Sequence, residues 1–102
     1  MNIFAIYKGQ KQIFSSGYID PLVINIILGL NEIGTNFLED KISYMELDSF
    51  SINVHVSLTE TVFVCINKNR TRTDLGPFLE SYAKSQIYGD ENLLNVLIFD
   101  NY

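Results

Sequence analysis

Two segments of this chain, residues 2–8 (NIFAIYK) and 61–66 (TVFVCI), are apolar on both alternating sets of side chains. In the first, Ile3, Ala5 and Tyr7 fall on one set, and Phe4 and Ile6 on the other. A strand without a polar face must be covered from both sides, so it belongs in mid-sheet between two layers. With 102 residues there is room for one domain, with ample apolar material for its core. The two segments are therefore expected side by side at the centre of a single sheet.

The other strands fall into place around them. Gly9-Gln10 is a turn, and Lys11 to Ser15 reads as a short return strand whose lysine suits an edge. Lys41 to Asp48 is a further strand, turned at Asp48-Ser49. Phe50 to Leu58 then alternates without error: Phe50, Ile52, Val54, Val56 and Leu58 against Ser51, Asn53, His55 and Ser57. That pattern gives a half-buried strand with one wet face. Five strands joined mainly by short turns imply an antiparallel sheet. With the doubly apolar pair central, its order is 2-1-5-4-3. Helices must cover both faces, or the central strands would expose an apolar surface.

The helices are signalled locally. Residues 17–38 (GYIDPLVINIILGLNEIGTNFL) follow the hairpin. Asp20 is a good N-cap, and Pro21 then takes the first helical position, where its missing N–H costs nothing. Ile19 and Ile24 have the spacing of a hydrophobic staple. Leu22, Val23, Ile26, Ile27, Leu30, Ile33 and Phe37 make one broad stripe, expected to face the core. Towards the carboxyl end, Leu75, Leu79, Tyr82, Ala83, Gln86 and Ile87 lie along one side of a second helix. Pro77 falls in its first turn and Gly89 closes it. Asp90 caps the tail NLLNVLIFDNY, read as a short helix, with a sixth strand as the alternative. The fold class is α+β: one helix on one face of the sheet, and the C-terminal helices on the other.

Composition narrows the function. Twelve acids against 7 bases give a charge of −5, which repels phosphate backbones, so no nucleic-acid partner is expected. The single Cys65 lies in an apolar run and rules out a disulfide within the chain, in keeping with a reducing, cytoplasmic setting. The apolar segment Leu22 to Leu30 is interrupted by Asn25 and Gly29 and falls short of the ~20 residues of a membrane span. The amino terminus lacks a basic region ahead of an apolar block, so no secretory signal is expected.

Catalytic chemistry finds no constellation. His55 is the only histidine. Its strand neighbour Ser57 lies ~7 Å along the same face, too far for a direct hydrogen bond, so a triad with Asp48 is set aside. Glu39-Asp40 and Asp90-Glu91 flank predicted helix ends, where carboxylates solvate and cap. No metal or cofactor is expected, and the chain is read as a non-enzyme. The loop residues Lys68, Arg70 and Arg72 form a locally basic patch that would suit an anionic partner, with a solvated loop as the simpler account. Ile24 and Leu28 depart from the first helix's stripe and share an otherwise polar arc with Asn31 and Thr35. They are read as a contact with another subunit, Gly29 letting the backbones approach. The bland alternative is that Ile24 only staples Ile19 and that Leu28 is a solitary exposed leucine.

The element order, with SSGYIDPLVINIILGLNEIG after a hairpin and DLGPFLESYAKSQIYGDENLLNVL closing the chain, resembles the longin domain family and the related roadblock proteins, including archaeal chains of that group. The resemblance implies a profilin-like fold with sheet order 2-1-5-4-3. It also implies homo- or heterodimers formed through the first helix and third strand, which would place Ser43, Tyr44 and Met45 near the seam. Its implied role is a scaffold or regulator of small GTPases or of membrane-traffic machinery, with peripheral recruitment to membranes. The alternative function is a profilin-like small-molecule sensor domain.

Overall fold

The computed structural model describes residues 2–34 and 43–102. Within them the elements run β1 (Asn2–Lys8), β2 (Lys11–Ser15), α1 (Pro21–Ile33), β3 (Tyr44–Glu46), β4 (Ser51–Val56), β5 (Thr61–Asn67), α2 (Gly76–Tyr88) and α3 (Glu91–Asn101). The strands form one antiparallel sheet in the order β2-β1-β5-β4-β3. The two doubly apolar segments are neighbours at its centre, paired from Asn2–Asn67 to Lys8–Thr61. All of β5 is buried, and β1 is buried from Phe4 to Tyr7.

The sheet separates two cores. On one face Ala5, Tyr7, Ile52, Val54, Val62, Val64 and Ile66 pack with Ile19, Ile24 and Ile27 at the entry and underside of α1. On the other, Phe4, Ile6, Phe63 and Cys65 pack with Phe78 of α2 and with Leu94 and Ile98 of α3. Alternate residues of β1 and β5 thus serve alternate layers, which is why neither strand has a polar set.

Local signals set the element ends. Gly9 adopts a left-handed φ of 59° in the two-residue β1–β2 turn, a conformation that favours glycine. The Asp20 carboxylate accepts from the Leu22 amide at 2.9 Å, with Pro21 following in the first turn. Gly89 ends α2 at φ 65°, and Asp90 caps α3 by accepting from the Asn92 amide at 3.0 Å. The tail is therefore helical rather than a sixth strand. Tyr102 completes this layer: its ring lies 4.6 Å from Phe4, and its hydroxyl accepts from the Phe78 amide and donates to the Asp74 carbonyl.

Several expectations change. The third strand is only Tyr44–Glu46, shorter than 41–48, and residues 41 and 42 lie outside the described residues. A stub of this length limits the free edge that a sheet offers to stray pairing. In α2 the buried positions are Phe78, Ser81 and Ser85, whereas Ala83, Gln86 and Ile87 face solvent. The two serines satisfy themselves, donating to Pro77 O at 2.7 Å and Tyr82 O at 2.8 Å, so burying them strands no donor. A further change concerns the rotation of α1 and bears on the candidate site.

Cys65 is fully buried beneath the α2–α3 layer, and desolvation pushes its thiol up to about 11. Roughly one such thiol in a thousand is ionised at pH 8. A thiol reagent at that pH is therefore expected to leave the native protein unlabelled and to label it fully in denaturant. Rapid native labelling, read by mass spectrometry, would contradict the packing of this layer.

Candidate interaction surface

Part of the α1 stripe assigned to the core does face it, Val23 and Ile27 among it, but Leu22, Ile26 and Ile33 turn outward while Ile24, Leu28 and Asn31 turn inward. Ile24 is 6% exposed and Ile27 and Asn31 are buried with it, while Val23 and Leu28 pack partly against the same core. Leu22, Ile26 and Ile33 are 69%, 58% and 52% exposed. At ~100° per residue the buried group centres between Ile24 and Ile27, and the exposed row lies close to half a turn away. The cause is the staple. Ile19 is buried in the α1-side core together with Ile24, four residues beyond the Asp20 cap, and that pair turns α1 about its axis. The pairing was visible in the sequence, and it outweighed the stripe because α1 is apolar around most of its circumference.

Of the seven residues expected at a subunit seam, Ile24 and Asn31 are therefore core residues. Leu28 and Met45 pack half-buried against the α1-side core, and Tyr44 is half-buried. Only Ser43 is exposed, and Thr35 lies outside the described residues, as do Phe37 and the Glu39-Asp40 pair. Asn31 donates through Nδ2 to Ile27 O at 3.3 Å, while its Oδ1 has no partner among the described residues.

What α1 turns outward is the row Leu22, Ile26, Gly29, Ile33, extended by Tyr18 at 81% exposure. These helical positions recur at i, i+4, i+7 and i+11, the spacing of a helix-packing face. Gly29 is a notch in it, since a Cβ placed there would meet open space. The row reads the same in both directions: in an antiparallel two-fold pairing Leu22 meets Ile33, and Ile26 meets Gly29.

The basic loop is largely committed to its own fold. Arg70 pairs with Glu46 at 3.1 Å, and the Arg72 guanidinium lies 4.3 Å from the centroid of the Tyr44 ring. Ser51 donates to Thr71 O at 2.8 Å, Thr73 N donates to Asn53 Oδ1 at 2.9 Å, and Asn67 Nδ2 donates to the Thr71 and Thr73 hydroxyls. This strap buries Ser51 and Asn53, half of the face expected to be wet, while His55 stays exposed. Lys68 alone of the three cations has no ion pair or aromatic contact among the described residues. Among the same residues no three potential metal ligands converge, and no helix is long and apolar enough to cross a membrane. Neither a protein-family model, nor a curated protein, nor a solved structure matches this chain.

Proposed function

We propose that this chain is a non-catalytic interaction module that pairs with a second copy, or with a related domain, through the outer face of α1. The observation that carries the reading is the exposed, self-complementary row Leu22–Ile26–Gly29–Ile33. A homodimer's two-fold axis brings the same patch of each copy together, and this row supplies large residues opposite large ones at its ends and isoleucine opposite glycine at its centre. The resemblance to longin and roadblock domains, whose sheet order this sheet shares, supports a role as a scaffold or regulator of small GTPases or of membrane-traffic machinery. The family's seam also takes in the third strand. Here the β3 edge is a three-residue stub with Ser43 exposed beside it, so α1 carries most of the contact.

Magnitudes set the strength. Covering the exposed parts of Leu22, Ile26 and Ile33 in both copies gains on the order of 10 kcal/mol. Association itself costs about 4–15 kcal/mol. The pairing is thus expected to be reversible and dependent on concentration. Sedimentation analysis should show mass rising towards the dimer between about 10 μM and 1 mM, the weak end of the affinity scale. Ile26→Asp should hold the protein monomeric throughout, and Gly29→Leu, which fills the notch, should do the same. A wild-type chain that stays monomeric at the top of this range would remove the self-association claim.

A further inference from the structure

We infer that an apolar slot at the end of the sheet binds a free amino acid with an apolar side chain. The inference deepens the small-molecule-sensor alternative; Tyr18 both lines the slot and extends the α1 row, so the test must separate the two. The slot measures about 380 Å³, within the ~300–1,000 Å³ of small-molecule sites. Its walls are Ile3 of β1, Ile66 of β5, Phe50 ahead of β4, and Ile19 and Val23 at the entry to α1. All five belong to the α1-side core or pack against it, so the slot is that core's continuation to the surface.

The charges at the slot identify the ligand class. Lys68, just beyond β5, and Asp20, the N-cap of α1, both line it. Among the described residues Lys68 is the loop cation without an ion pair, Arg70 being held by Glu46 and Arg72 stacked on Tyr44. Asp20 uses Oδ1 to cap α1, and no hydrogen bond occupies its Oδ2 among the described residues. A fatty acid would bring its carboxylate to Asp20 as well as to Lys68, and an alkylamine would bring its cation to Lys68. A zwitterion satisfies both: its carboxylate meets Lys68, its ammonium meets Asp20, and its side chain enters the slot. Charge-assisted hydrogen bonds at both ends supply the selectivity.

Calorimetric titration of the full chain with L-leucine, glycine, leucine methyl ester and N-acetylleucine tests this. Leucine should bind, and glycine should bind at least tenfold more weakly for want of a side chain. The ester and the N-acetyl derivative, each lacking one charge, should each lose about tenfold. Asp20→Asn keeps a competent cap while removing the anion. It should lower leucine affinity about tenfold and leave N-acetylleucine unchanged. Lys68→Gln should do the same for leucine and leave the methyl ester unchanged. Repeating the titrations on Ile26→Asp separates this outcome from dimer formation. The proposal is overturned if leucine gives no signal at about 10 mM, if leucine and both derivatives bind alike, or if neither charge variant changes leucine affinity.

Discussion

Ile24→Asp is expected to leave the chain unfolded at room temperature, whereas Ile26→Asp, two residues on, is expected to melt like the wild type. Ile24 is enclosed in the α1-side core with Ile19 and Ile27. A carboxylate there would be buried without a partner, at a cost of several kcal/mol on top of the isoleucine packing it displaces. A domain of this size has only about 5–15 kcal/mol in hand. Ile26 stands on the opposite side of α1, more than half exposed. A surface change of that kind usually moves stability by no more than ~0.5 kcal/mol. Far-ultraviolet circular dichroism of the two variants decides between the faces. A folded Ile24→Asp and an unfolded Ile26→Asp would mean that α1 is turned the other way. The row proposed as a docking face would then be core.

The sheet could be read from the chain because its logic is subtractive. Residues 2–8 and 61–66 have no polar face, so they cannot occupy an edge, and short antiparallel turns then leave one order for the remaining strands. The caps were equally legible, since Asp20-Pro21 and Gly89-Asp90 act through their own backbone neighbours. Rotations about helix axes were not. In α1 apolar residues cover so much of the circumference that periodicity barely favours one face, and the staple to Ile19 decided it. In α2 two self-satisfied serines look polar in sequence and pack as small core residues. Asn53 was hidden for a different reason. Its strand alternates correctly, but the face it occupies is roofed by Thr71 and Thr73 from a loop 20 residues away. Whether a polar face stays wet depends on where distant loops fall, and period-two alternation carries no record of that. The docking row was thus present in the sequence as part of the stripe assigned to the core, and the slot beside Lys68 needed the fold to bring Ile3, Val23 and Phe50 together.

Phe78→Ala is expected to be the most damaging truncation on the other face of the sheet. Phe78 is fully buried, and its ring meets three aromatic neighbours from three strands. Phe4 of β1 lies edge-on at 5.0 Å, Phe63 of β5 edge-on at 5.6 Å, and Phe14 of β2 at 6.3 Å. Removing it opens a cavity beneath α2 that these rigid rings cannot collapse to fill, which costs about 3–5 kcal/mol. For a domain of about 100 residues that corresponds to a Tm lower by roughly 15–30 °C. Phe78→Leu keeps most of the volume and loses the edge-to-face contacts, worth about 0.5–1.5 kcal/mol each, so an intermediate loss is expected. Calorimetric melts of the two variants separate volume from ring geometry. Equal losses would deny the aromatic contacts any share, and a Phe78→Ala melt within a few degrees of wild type would contradict the packing itself. The sheet lies between this cluster and α1. Below its melting temperature Phe78→Ala should therefore dimerise with the wild-type constant, because the α1 row depends on the opposite core.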